Sequence, residues 1–303
     1  MTGAEAGFLL LTSFLGNPER RVLSTSQMRV LAGRVRGAEK ADPQRELTPE
    51  DLVALGYGRE MAERMVSLLG EEELLRYYLH RGQKVGCYPL TRVTAGYPRQ
   101  LRPKLGEETP SCLWYKGDIS LLSQPMVALV GSRELNDENR RFAQALGRQA
   151  AKQGFVLVSG NARGADQAAQ NACLQAGGKV ISVVADRLED RRQRENVLYL
   201  SEDGFDCAFT AQRAISRNRV IHALATRTFV AQSALETGGT WDGTVKNLRH
   251  GWSKVYVFAD NSRAMEQLYH MGANIITQEQ LDDLEALPCG TGGFFDEQWE
   301  EQL

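Results

Sequence analysis

From about residue 112 onward, short apolar β-rich runs alternate with segments of helical period, and this restricts the fold more than any other feature. The runs are Met126–Val130, Phe155–Val158, Val180–Val184, Leu198–Leu200, Thr228–Ala231, Val255–Phe258 and Asn274–Ile276. Helical patterns fill most of the gaps, at about 137–152, 164–177, 213–225, 240–250 and 262–271. The strands are near-continuous apolar runs, as expected when both faces of a sheet are covered. Alternation of this kind predicts an α/β fold, an extended Rossmann-like, doubly wound and mostly parallel sheet with right-handed crossovers.

The sequence upstream is of another kind. Residues 1–81 are expected to form a small helical domain. Phe8, Leu11, Leu15, Leu23, Met28 and Leu31 recur at helical spacing, and Thr48-Pro49-Glu50-Asp51 looks like a helix start. Residues 82–111 carry Gly82, Gly86, Pro89, Gly96, Pro98, Pro103 and Pro110. Such punctuation predicts a connector and argues against a long helix. The sheet domain would then occupy 112–303.

Cysteine and charge usage bound the function classes. Five cysteines without CxxC spacing, and four scattered histidines, predict neither a disulfide framework nor a metal site. The Gly7–Leu11 run lacks a basic lead and a cleavage pattern, and no apolar run reaches the roughly 18 residues of a membrane span. A cytoplasmic protein without membrane association is expected. A net charge of −2 excludes a globally basic nucleic-acid coat and leaves room for a local basic site. The 36 basic residues divide into 8 Lys and 28 Arg, and Arg is the residue that grips phosphate bidentately.

In an open parallel sheet, ligands bind beyond the carboxyl ends of the strands. Gly131-Ser132-Arg133 follows the first predicted strand. Ser159-Gly160-Asn161-Ala162-Arg163-Gly164-Ala165-Asp166 follows the second. Arg217-Asn218-Arg219 falls in the helical stretch before the fifth strand, and Thr237-Gly238-Gly239-Thr240 comes after it. Glycine at a strand–helix turn lets backbone N–H groups approach an anion, and the helix N-terminus adds about half a positive charge. Arg133, Arg163 and Arg219 are expected to converge. Hydroxyls of Ser132, Ser159 and Thr240 add donors, and the natural ligand is a polyphosphate or a nucleic-acid backbone. Asp166 is expected to hold Arg163 in an ion pair at the helix start. Trp241 is either a base-stacking platform or a core residue. No GxGxxG follows the first strand and no GxxxxGK[ST] occurs, which argues against the common dinucleotide and P-loop sites. No catalytic residue and no cofactor is assigned, and non-catalytic binding is favoured over an enzyme.

Val127–Arg133 (VALVGSR), Ser159–Asp166 (SGNARGAD), Gly177-Gly178 and Arg217–Arg219 (RNR) resemble, in order and spacing, the DprA/Smf DNA-processing family. Tyr97-Pro98, Leu101 and Leu113–Gly117 resemble that family's lead-in to its first strand. The resemblance implies single-stranded DNA binding, a homodimer, and delivery of a RecA-type recombinase during DNA uptake or recombination. Carried over by position, Gly131, Ser132, Arg133, Ser159, Gly160, Arg163 and Arg219 would form the DNA pocket. There are departures. Gln170 stands where the family has His, Arg192-Gln193 where it has Tyr-Pro, and Ala214-Ile215 where it has Phe-Pro. The winged-helix module of many members is expected to be missing. The Gly-Gly-Thr loop is also similar to that of nucleotide sensors and nucleotide phosphoribohydrolases, although the Glu of the latter's PGGxGTxxE is out of register here. That gives an alternative reading in which the ligand is a free nucleotide.

Overall fold

A computed structural model describes residues 1–36 and 45–289. The remaining parts of the expected helical and sheet regions, 37–44 and 290–303, lie outside the described residues, as does the chain end at which a winged helix was expected to be missing. Helices α1 (Gly3–Thr12), α2 (Thr25–Arg36), α3 (Pro49–Ala54), α4 (Arg59–Leu69) and α5 (Glu72–Lys84) come first. Strand β1 (Tyr88–Thr91), helix α6 (Leu101–Leu105) and strand β2 (Cys112–Gly117) follow. The alternating part then runs β3 (Met126–Val130), α7 (Asp137–Lys152), β4 (Val156–Ser159), α8 (Ala165–Gln175), β5 (Lys179–Val183) and β6 (Val197–Ser201). It continues with α9 (Ala211–Ser216), α10 (Asn218–Leu224), β7 (Arg227–Val230), α11 (Gly238–His250), β8 (Lys254–Phe258), α12 (Arg263–His270) and β9 (Asn274–Ile276).

Local chemistry starts these helices where the sequence suggests. Thr2 and Glu5 form a reciprocal capping box on α1. The Thr48 N–H donates to Asp51 Oδ2 at 2.9 Å, with Pro49 at the first helical position of α3. Asn136 caps α7, and Ser262 caps α12. The helical stretch expected over 213–225 is two helices, α9 and α10, joined at Arg217.

The sheet has nine strands in the order β1-β2-β6-β5-β4-β3-β7-β8-β9. All pairs from β6 to β9 are parallel. β1 and β2 add an antiparallel edge beyond β6. The sheet therefore begins inside the stretch read as a connector. The order reverses at β3, with β4, β5 and β6 laid to one side and β7, β8 and β9 to the other. This switch point is where a doubly wound sheet opens a crevice.

Successive residues of each strand point to opposite faces, and each face has its own core. Val127, Leu129, Leu157 and Val180 pack with Phe142 and Leu146 of α7 and Ala169 of α8. Ala128, Val130, Val158 and Ile181 pack with Val220 and Ile221 of α10 and Val245 and Leu248 of α11. Trp241 is buried in this second core, so it is unavailable as a stacking platform. Leu9, Leu10, Leu75 and Tyr78 of the N-terminal helices belong to the first core. Tyr78 meets Phe205 at 4.6 Å and Trp114 edge-on at 5.2 Å between ring centroids. Each such pair contributes about 0.5–1.5 kcal/mol beyond area burial. A smaller core of Leu11, Leu23, Leu52, Ala62, Met65 and Leu68 holds α1, α3 and α4 together.

Candidate nucleic-acid interface

The turns after β3, β4, β7 and β8 are knitted into one platform at the carboxyl edge of the sheet. The Ser132 N–H donates to Gln232 O at 2.9 Å, and the Ala165 N–H donates to Ser132 O at 3.1 Å. Asn139 Nδ2 donates to Ala231 O at 2.6 Å and to Asp260 Oδ2 at 2.7 Å. Gly164 has φ +90, and a Cβ there would lie 2.4 Å from Ser132 O and 2.5 Å from Arg133 O. Only glycine lets the second loop press this closely on the first.

Arg217 forms the floor. Its guanidinium lies against Gly160, where a Cβ would fall 1.4 Å from Nη1. The side chain is buried, and among the described residues neither Nε nor Nη1 has a hydrogen-bond partner. Buried donors are almost always paired, and an unpaired one calls for a ligand or a water. Burial pushes the Arg217 pKa below its usual range, and Asp166 is the largest opposing influence. Burial likewise pushes the Asp166 carboxyl up, and Arg217 pulls it back. Asp166 Oδ2 accepts from the Ala162 N–H at 3.1 Å, bracing the second loop. Among the described residues, Ser159 Oγ, fully buried behind this loop, and Gln170 Nε2 have no hydrogen-bond partner.

Arg133 and Arg163 stand exposed on the rim. Arg163 pairs with Glu134 at 3.7 Å, so Glu134 and not Asp166 is its ionic partner. Gly238, Gly239 and Thr240 open α11, whose N-cap Thr237 makes no side-chain cap bond, leaving N–H groups of its first turn uncapped. Asn218 Nδ2 donates to Gly239 O at 2.9 Å and ties this helix start to Arg217. Gly131, Ser132, Arg133, Gly160, Arg163, Gly164, Asp166, Arg217, Asn218 and the 238–240 turn are thus brought together at one edge.

Arg219 departs from the expected convergence. Its Nη2 donates to Glu202 Oε2 at 2.6 Å, its Nε to Glu108 O at 2.9 Å, and its Nη1 to Ser216 Oγ at 2.6 Å. It is a structural cation that neutralises Glu202, whose carboxyl burial pushes up and Arg219 pulls down. Sequence reasoning missed Glu202, Gln232, Asn139 and Asp260. They carry no motif, and only their positions just after strands or opposite a strand end hint at them. Among the described residues, no group of three or more His, Cys, Asp or Glu could hold a metal ion, and no helix is long and apolar enough to cross a membrane.

The sequence profile of the DNA recombination-mediator protein A family matches residues 89–286. A DNA processing protein DprA from Streptococcus pneumoniae is 33% identical over 141 residues, covering 43% of this chain and 50% of that protein. A Synechocystis protein named Smf is 27% identical over 256 residues, covering 77% and 63%. The chain thus spans half to somewhat under two thirds of these relatives. Among solved structures, S. pneumoniae DprA superposes with a TM-score of 0.69 at 23% identity, covering 93% of this chain and 96% of that one. A Helicobacter pylori DNA processing protein A, described by its single-stranded DNA binding mode, gives 0.54 at 24% identity, covering 63% and 90%. Both share this fold.

Proposed function

This chain belongs to the DNA recombination-mediator protein A family, and on that premise we propose that it binds single-stranded DNA through backbone phosphates at the platform just described. The observation that carries the reading is the buried, unpaired guanidinium of Arg217 beneath two glycine loops. A phosphate oxygen would complete its hydrogen bonding. Arg133 and Arg163 on the rim supply two further cations, and the uncapped start of α11 supplies N–H donors.

The physical work is charge neutralisation. Each phosphate that meets an Arg releases a condensed counterion, so affinity falls with salt by about 0.7 log units per contact. Three arginines give a slope of about −2. The family reading adds that the protein acts as a homodimer in the cytoplasm and hands its DNA to a RecA-type recombinase. Sedimentation alone and with such a recombinase checks that part. The central test is the binding of a labelled oligo-dT of about 6 nucleotides across salt to the native protein and to Arg133→Ala. A slope of about −2, shallower by about 0.7 in the variant, is expected. A flat response, or an unchanged slope in the variant, overturns the reading. Thermal stabilisation by a mononucleotide and not by oligo-dT favours a nucleotide sensor instead.

A further inference from the structure

We propose that the outward face of α5, together with the arginine-rich connection between β5 and β6, is a second DNA-binding surface, over which single-stranded DNA continues after it leaves the glycine loops. The inference rests on the DNA-binding reading above and extends it to residues outside the platform.

Two parallel strands need a connection that returns from the carboxyl to the amino edge of the sheet, normally a helix. Between Val183 and Val197 the chain makes this return without one. The return starts beside the platform, because Ser182 of β5 is in register with Ser159 of β4. It then runs alongside α5. The Glu189 N–H donates to Phe205 O at 2.9 Å, and Arg81 of α5 lies over the Phe205 ring at 5.5 Å. Four residues on, Gln193 Oε1 is 3.9 Å from a Cβ built on Gly86, just past the end of α5. The connection and the second half of the helix therefore form one continuous ridge.

The chemistry of this ridge suits nucleic acid. Arg76, His80 and Lys84 are exposed one helical turn apart, with Tyr77 63% exposed among them, and Arg76 is loosely paired with exposed Glu73 at 3.9 Å. From Arg76 to Lys84 the helix rises about 12 Å, the reach of roughly two to four phosphates. Arg192 and Arg194 are exposed on the connection, and among the described residues neither makes an ion pair. Of the four acids on the connection, Asp190 and Glu195 are exposed and Asp186 and Glu189 are engaged. Asp186 holds Arg191, Glu189 pairs with Arg187 at 3.9 Å, and Asp206 takes Tyr78 and Arg81. At the platform end, Phe209 is 54% exposed and lines an open surface depression together with Asp186, Arg187, Asp190 and Arg191. Exposed aromatics set among cations stack bases while the cations take phosphates.

The test uses the full chain with oligo-dT of about 6 and about 25 nucleotides, one near the low end of usual single-strand site sizes and one beyond their upper end. The short oligonucleotide fills the platform alone. The long one is expected to bind more tightly, with a steeper salt slope. Arg192→Glu/Arg194→Glu should lower the long-oligonucleotide slope by about 1.4 and leave the short one unchanged. Tyr77→Ala should weaken the long one by about fivefold or more. Both sites are exposed, and a circular-dichroism melt checks that the variants fold. Equal slopes for the two lengths in the native protein overturn the inference. So do unaffected face variants when Arg133→Ala still weakens both lengths. Long-oligonucleotide binding that survives Arg133→Ala yet is lost in the face variants upholds the ridge and overturns the platform reading.

Discussion

The guanidinium of Arg217 occupies the space that a side chain at position 160 would need. A Cβ on Gly160 would lie 1.4 Å from Nη1 and 2.1 Å from Cζ. This one contact couples the β4 turn to the junction between α9 and α10, and it sets where the unpaired cation points.

Gly160→Ala is therefore expected to expel Arg217 from its seat. Overpacking of a buried site destabilises by about 1–3 kcal/mol. Urea unfolding should show that loss, and oligo-dT binding should fall with it. Native stability with native binding would mean that Arg217 has another equally good position.

Arg217→Met/Asp166→Asn separates binding from folding. The methionine keeps most of the buried volume, and the asparagine keeps an acceptor for the Ala162 N–H without leaving a buried carboxylate stranded. Replacing both members of a buried charge pair by neutral side chains of similar size is often neutral or stabilising, whereas removing one member is costly. Unfolding free energy of the double variant should stay within about 1 kcal/mol of native or rise, while DNA affinity drops. Lost stability with retained affinity would make Arg217 a structural residue.

Arg219→Ala should do the reverse of Arg133→Ala. Removing one partner of a buried ion pair strands the other charge, at about 3–5 kcal/mol. Glu202 is the stranded group, with only 9% of its side chain exposed. Denaturant unfolding should show this loss for Arg219→Ala. Arg133 is exposed, so its variant should melt like the native protein and lose only salt-dependent binding.

Stability should fall in mild acid because of His222. Its ring is fully buried, and burial pushes its pKa down to about 3. The unfolded chain takes up that proton near pH 6.5 and the folded chain does not, so this contribution is full above 6.5 and is lost as pH falls toward 3. The slope is up to about 1.4 kcal/mol per pH unit within that window. His222→Gln should flatten it in calorimetric melts from pH 7 to pH 4. An unchanged slope would show that other groups set the acid sensitivity.

All seven parallel strands were legible in the sequence to within a residue or so at each end, because apolar burial on both faces writes a local pattern. The edge pair β1 and β2 was not. β1 is four residues long with Pro89 inside it, and it becomes a strand only because β2 pairs with it. The separation of helical from sheet sequence was also only local. Leu9, Leu75 and Tyr78 complete a core whose other half lies beyond residue 112.

The amino-acid sequence by itself determined the doubly wound sheet, the loops at its carboxyl edge and the glycines those loops require, since each follows from periodicity or from backbone freedom within a few residues. Which arginine serves which role was decided only in three dimensions. Arg217 and Arg219 are the same residue type two positions apart, and on a helical turn that spacing points them to opposite sides. One comes to rest unpaired on Gly160, and the other is neutralised by Glu202. The difference lies in what the fold places opposite each of them, Gly160 just after β4 and Glu202 just after β6, and no local pattern in the chain records that.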